Sequence, residues 1–264
     1  MRRKPIDYYI PVLIVLVFAL TLLIFPSWKK LIEHTSSSSE VPKRFDWRDV
    51  NGEDYTTPAI SQGRLSAAGP FAEIGVVEAL YKIRHKSPRA HIKLSEQFML
   101  SCMADYDGGE TPPDTVKIDE AWKTMGIVDY ACFPYIPRDT LEKIPCRPCD
   151  DWQKRIVAKI VRKIEIPPGD ANLKRALVRY GPLVVGMDLY EDALNYSGGI
   201  YRHATGNYVG GHVVMLAGFD DEKEFWVVRN SGPKGWGENG FMRIAYYQCA
   251  LGRNPYALEV QFFK

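Results

Sequence analysis

The sequence lacks an excess of either charge: 34 Lys and Arg stand against 32 Asp and Glu, a net of +2. A nucleic-acid-binding domain carries a basic face on a clearly basic domain, so nucleic acid is not an expected partner. Cysteine is sparse. Five in 264 residues are too few for a small scaffold that replaces a core with disulfides. They suffice for one or two bridges in an oxidising compartment, with an odd one left over. Metal ligands lack their pattern as well. Cys146-Arg147-Pro148-Cys149 is a lone Cys-x-x-Cys; a zinc site needs a second set of ligands, and redox work needs a thioredoxin-like setting. The pair reads as a local bridge or as thiols. No metal or cofactor is implied, and no internal repeat is present. The remainder is ordinary for a globular chain, 46% hydrophobic and 25% charged, and long enough for one two-lobed domain or two small ones.

A local absence is more informative. From Tyr8 to Trp28 no residue is charged, and the stretch is almost wholly apolar. A bilayer-spanning helix needs about 20 such residues. Tyr8, Tyr9 and Trp28 stand at its ends, where amphipathic rings favour the interface. Pro11 falls in the first turn, where a missing N–H costs little. A cleaved signal peptide would have a shorter apolar run followed by a small-x-small site, and Phe25-Pro26-Ser27-Trp28 is a poor one. Residues 8–28 therefore read as an uncleaved signal anchor. Arg2, Arg3 and Lys4 before it, against Lys29 and Lys30 after it, favour a cytoplasmic N-terminus at 1–7 and an extracytoplasmic remainder. Residues 29–41, with the run 35–39 of Thr and Ser, form a polar tether.

The globular part spans 42–262. Between Phe71 and Arg84 the apolar residues cover more than one face, which predicts a helix buried on several sides. Ser95 is a plausible N-cap for a second helix, and a third fits 114–125. Residues 170–180 read as a surface helix stopped by Gly181-Pro182. After that the pattern is strand-like, over 183–189, 212–220, 224–230, 240–247 and 257–263. A helical part at about 42–150 is thus followed by a mostly antiparallel β part at 151–262, an α+β architecture of two lobes with a cleft between.

The polar break Asp220-Asp221-Glu222-Lys223 separates two of these strands. If it is a hairpin tip, His212 lies opposite Asn230, with Cα atoms about 4.5–5.5 Å apart. An amide oxygen there can hold one imidazole nitrogen and fix its tautomer. Such a pair is either a structural hydrogen bond or the base-plus-orienter half of a Cys-His-Asn triad.

The surrounding motifs resemble the papain/cathepsin cysteine proteases. They run in family order: Asp46-Trp47-Arg48, Ser61-Gln62-Gly63, Leu94-Ser95-Glu96-Gln97 followed by Cys102, Gly108-Gly109, Tyr180-Gly181-Pro182, Tyr196-Ser197-Gly198-Gly199, Gly211-His212-Val213 and Asn230-Ser231-Gly232-Pro233-Lys234-Gly235-Trp236-Gly237-Glu238-Asn239-Gly240. The resemblance implies a helical lobe facing a β-barrel-like lobe, His212 and Asn230 as catalytic remnants, Gln62 at the oxyanion hole or pinning its own loop, and Gly108 and Gly109 lining the substrate cleft. It also implies a bridged Cys102, with Cys132 as the expected partner.

The departures decide the chemistry expected. Where the family has Gln-Gly-x-Cys-Gly-Ser-Cys-Trp-Ala-Phe, this chain has Gln62-Gly63-Arg64-Leu65-Ser66-Ala67-Ala68-Gly69-Pro70-Phe71. Aligned without a gap, Ala68 takes the nucleophile position, Gly69 that of the following tryptophan, and Gly232 that of a tryptophan beside the His–Asn pair. A methyl group cannot become a thiolate. The expectation is a membrane-anchored homologue that holds a peptide or protein segment without cutting it. Rivals are a hydrolase with an unconventional nucleophile and a structural ectodomain of a membrane complex.

Overall fold

The computed structural model describes residues 41–106, 112–137 and 142–263. The expected span 8–28, the flanking segments 1–7 and 29–40, and Gly108 and Gly109 lie outside the described residues. Among the described residues no helix is long and apolar enough to cross a membrane.

After strand β1 (Arg44–Asp46) comes helix α1 (Ala68–Arg84). It starts three residues before the apolar run that announces it, and its Ala67 N-cap offers no side-chain acceptor. Ile74, Val76, Val77 and Ala79 are all fully buried, so the helix runs through the interior. Close approach at one point requires glycine: a Cβ on Gly75 would fall 2.1 Å from Arg229 Nη1. The buried guanidinium crosses the helix there and donates to the carbonyls of Thr57 (3.0 Å) and Pro58 (2.6 Å). It thereby fixes the chain beside Asn230.

Ser95 caps α2 (Glu96–Phe98), accepting from the Phe98 N–H at 2.9 Å. The helix continues as a π turn, Met99–Met103. Helix α3 (Thr115–Thr124) is capped by Asp114, and β2 (Ile127–Val128) follows. Then come β3 (Ile156–Glu165), α4 (Asp170–Tyr180), β4 (Leu183–Tyr190), α5 (Glu191–Leu194), β5 (Ile200–Tyr201), β6 (Tyr208–Asp220), β7 (Phe225–Arg229), β8 (Phe241–Ala245) and β9 (Arg253–Phe262). The strands form one sheet in the order β2-β3-β9-β4-β6-β7-β8-β5, with β1 on β6. All pairs are antiparallel except β5 with β8. The α+β class stands as expected. The strand path runs between open ends at β2 and β5, so no barrel closes among the described strands.

Two expectations need correction. The hairpin of β6 and β7 pairs Asp220 with Phe225 and Met215 with Arg229, with a bulge between Leu216 and Gly218. Its tip lies later than 220–223. His212 is therefore not opposite Asn230; its register partner is Met187 on β4, and Asn230 lies just past β7. The later tip sets the slip, and the bulge takes back one residue of it.

The disulfides are Cys102–Cys146 and Cys132–Cys149, not Cys102–Cys132 with a local Cys146–Cys149 loop. The Cys149 N–H donates to the Cys132 carbonyl at 3.0 Å. That bond sets those two residues side by side and leaves Cys146 to reach Cys102 on the π turn.

Candidate functional site

His212 and Asn230 do meet, through side chains. Nε2 of His212 lies 2.7 Å from Asn230 Oδ1. The same oxygen accepts the Ser231 N–H at 2.8 Å, which fixes the amide orientation. An acceptor there requires Nε2 to carry the proton, so in the neutral ring the lone pair sits on Nδ1. Burial pushes the imidazole below its ordinary acid–base range, and the Asn230 bond opposes this only in part.

The network continues into the loop before α1. Ser231 donates its hydroxyl to Gln62 Oε1 at 2.5 Å, and the Gln62 N–H donates to the Ser231 carbonyl at 2.9 Å. Gln62 Nε2 donates to the Leu65 carbonyl at 2.5 Å. Tyr135 donates its hydroxyl to the Gln62 carbonyl at 2.7 Å. Of the two roles open to Gln62, pinning its loop is the one these contacts support.

Ala68 is the first residue of α1. All five cysteines are placed elsewhere. Four are paired, and Cys249 is buried. Burial, then Asp192 and Asp188, push the Cys249 thiol up to about 11, which leaves it a poor nucleophile. It neighbours a histidine–carboxylate pair, in which His203 Nδ1 lies 3.1 Å from Asp192 Oδ1. Tyr201 also donates to that carboxylate, at 2.5 Å. Among the described residues no group of three or more His, Cys, Asp or Glu could hold a metal ion.

The two glycines differ. A Cβ on Gly69 would meet nothing within 4 Å. A Cβ on Gly232 would come 3.0 Å from Asn230 Nδ2 and 3.4 Å from Trp236 Cδ2. So the groove is open at Gly69, but Trp236 already stands beside Gly232. Gly69 and His212 share the lining of a cavity of about 560 Å³ with Glu73, Asp119, Lys163 and Tyr256. Sequence reasoning missed these four. An acid at position 73, inside a helix buried on several sides, was the available signal.

Known proteins similar to this chain identify its family. Residues 41–258 match the papain family cysteine protease profile. Cathepsin J of Rattus norvegicus is 29% identical over 78% of this chain, which spans 60% of that protein. The cathepsin B-like CP3 of Giardia intestinalis is 26% identical over 80% of this chain and 71% of its own length. Among solved structures, proCathepsin B S9 from Trypanosoma congolense superposes with a TM-score of 0.72 at 22% identity, covering 86% of this chain and 80% of that one. Digestive procathepsin L 3 of Tenebrio molitor superposes with a TM-score of 0.69 at 23% identity, covering 84% and 71%. The likeness of structure speaks for the fold, and the match over nearly the whole described region speaks for descent: this chain belongs to the papain family of cysteine proteases.

Proposed function

We propose that this chain is a papain-family homologue that holds an extended peptide or protein segment beside His212 without hydrolysing it. Residues 8–28 would anchor it in a membrane, with the domain on the extracytoplasmic side. One observation carries the reading: α1 opens on the methyl group of Ala68, while every cysteine is either disulfide-bonded or, as Cys249, buried with its thiol pushed up to about 11. Loss of a triad nucleophile lowers turnover by ~10⁴–10⁶, leaving only binding and oxyanion effects. Here the oxyanion candidate Gln62 is tied to Leu65 and Ser231.

Retention of the His212–Asn230 bond favours one other reading, a hydrolase with an unconventional nucleophile. The purified full chain assayed with fluorogenic peptides, and treated with an electrophilic epoxysuccinyl probe, separates the two. The expected result is no turnover and no adduct. Peptide cleavage that disappears in His212→Ala would establish the second reading instead.

A further inference from the structure

Another cavity shares no lining residue with the one at His212. At about 440 Å³ it falls within the roughly 300–1,000 Å³ of small-ligand pockets. Its lining comes from α1, α4, β3 and β9, and from the start of the turn after none of the catalytic remnants. The end of α1 and the end of α4 meet there. Gly181 makes the meeting close: a Cβ on it would fall 2.5 Å from Leu80 Cδ2 and 3.6 Å from Ile83 Cδ1. The lining is apolar at Leu80, Ile83, Ile164, Leu258, Val260 and Phe262.

Its charges are unbalanced. Arg84, Arg162 and Arg179 line the cavity against one carboxylate, Glu259. Arg162 is matched to that carboxylate, with Nε at 3.0 Å and Nη2 at 2.8 Å from Oε2. Arg84 and Arg179 remain, two positive charges in excess. Arg84 donates from Nη1 to the Val260 carbonyl at 2.6 Å and lies over the Phe262 ring at 5.7 Å. Arg179 lies over the Tyr180 ring at 5.1 Å. Neither pairs with a carboxylate among the described residues. A guanidinium stacked by its face keeps donors at its edges, already oriented.

The occupant follows from what fails to complement this lining. A cation would be repelled. A wholly apolar ligand would cover the guanidiniums without pairing them, at a desolvation cost. A peptide would bring N–H and C=O groups that need partners once buried. Besides its charged groups the lining adds one polar side chain, Tyr180, and the Val260 carbonyl is already taken by Arg84. An alkyl chain needs no such partners. Its fitting head is an anion, and a carboxylate matches the guanidinium fork.

We propose that this cavity binds a free alkyl carboxylate of the fatty-acid type, its chain along Leu80, Ile164 and Leu258 and its carboxylate at Arg84 and Arg179. The proposal is independent of what the cleft holds.

Saturation-transfer NMR on the purified full chain tests this with octanoate, its neutral analogue octanamide, the cation octylammonium, and butanoate. Octanoate should bind at least about tenfold more tightly than octanamide, the order of a charge-assisted hydrogen bond, and octylammonium should not bind. Four further methylenes, each adding up to about fourfold when buried, should make octanoate at least about tenfold tighter than butanoate. Arg84→Gln/Arg179→Gln, which brings the lining to neutrality, should remove the preference for octanoate over octanamide. The change between variant and parent is the readout, so octanoate held by the apolar residues 8–28 cancels. Both arginines are exposed, and circular dichroism checks folding; if the double variant does not fold, Arg179→Gln alone decides, with an expected loss of at least about threefold. Equal binding of octanoate and octanamide, or a preference unchanged by the substitutions, overturns the proposal. A blocked Leu-Leu-Glu-Leu-Leu peptide that displaces octanoate from the parent and loses this advantage in the variant would assign the cavity to an acidic protein segment, and overturns it too.

Discussion

Gln62 and Ser231 are joined twice, by the Gln62 N–H to the Ser231 carbonyl at 2.9 Å and by the Ser231 hydroxyl to Gln62 Oε1 at 2.5 Å. The loop before α1 is thus clamped to the residue after Asn230. Gln62→Ala leaves the Ser231 hydroxyl and the Leu65 carbonyl without those partners, at a cost of about 1–2 kcal/mol in unfolding free energy. Ser231→Ala should cost a similar amount. Because both remove one shared bond, the double mutant should lose less than the sum, with a coupling of ~0.5 kcal/mol or more by urea denaturation. Strict additivity would show that the clamp contributes no shared energy.

Two buried groups should tilt stability with pH in opposite directions over overlapping ranges. Burial lowers the His212 pKa, so below about 6.5 the unfolded chain binds a proton that the fold resists. Stability falls as the pH drops through that range. Glu96 acts the other way: burial first and Glu78 second raise it from 4.5 to about 7, against the nearby Lys93 and Arg229. Its stabilising contribution is complete below about 4.5 and is lost as the pH rises through 7. His212→Gln should flatten the acid limb, and Glu96→Gln should flatten the rise in cost from pH 4.5 to above 7. Urea midpoints from pH 4 to 9 read both. An unchanged slope between pH 4.5 and 7 in Glu96→Gln would remove Glu96 as its source.

Local chemistry was legible in the sequence where one segment decides it. The surface helix at 170–180, the Ser95 cap and the interior character of 71–84 need only neighbours in the chain, and all three are found. Long-range register was not. The expected pairing of His212 with Asn230 misplaced the hairpin tip, which pairs Asp220 with Phe225, and the pair forms because side chains reach where the backbone ladder does not. Strand β3 was hidden by Lys159, Arg162 and Lys163, whose charges make an apolar run look broken. The lysine that breaks the pattern is the one seated between Glu73 and Asp119. No local pattern joins three residues from α1, α3 and β3.

The disulfide pairing carries its own test. Peptide mapping under non-reducing conditions should recover Cys102 with Cys146 and Cys132 with Cys149. The first closes a separation of 44 residues and the second one of 17. Loss of either, as in Cys146→Ser or Cys149→Ser, should cost about 2–4 kcal/mol. Recovery of a Cys102–Cys132 peptide would mean that residues 146–149 are not pinned at two points.

Restoring the thiol should not by itself restore proteolysis. Ala68→Cys places sulfur at a helix start whose first N–H groups lack a side-chain cap, a setting that favours thiolate. The introduced thiol should therefore react with iodoacetamide as a single site, since Cys249 is buried with its pKa near 11 and the other four cysteines are bonded. Peptide hydrolysis should stay at background. Gly69 leaves the neighbouring space open, and Gln62 remains committed to Leu65. Adding Gly69→Trp meets no atom within 4 Å at its Cβ and should leave stability nearly unchanged. Gly232→Trp must displace the Asn230 amide at 3.0 Å and Trp236 at 3.4 Å, an overpacking cost of about 1–3 kcal/mol. Activity in the triple variant therefore depends on Trp236 moving. Rates in Ala68→Cys alone that match an active papain-family enzyme would mean that the missing nucleophile is the whole of the defect and that the two glycines are neutral.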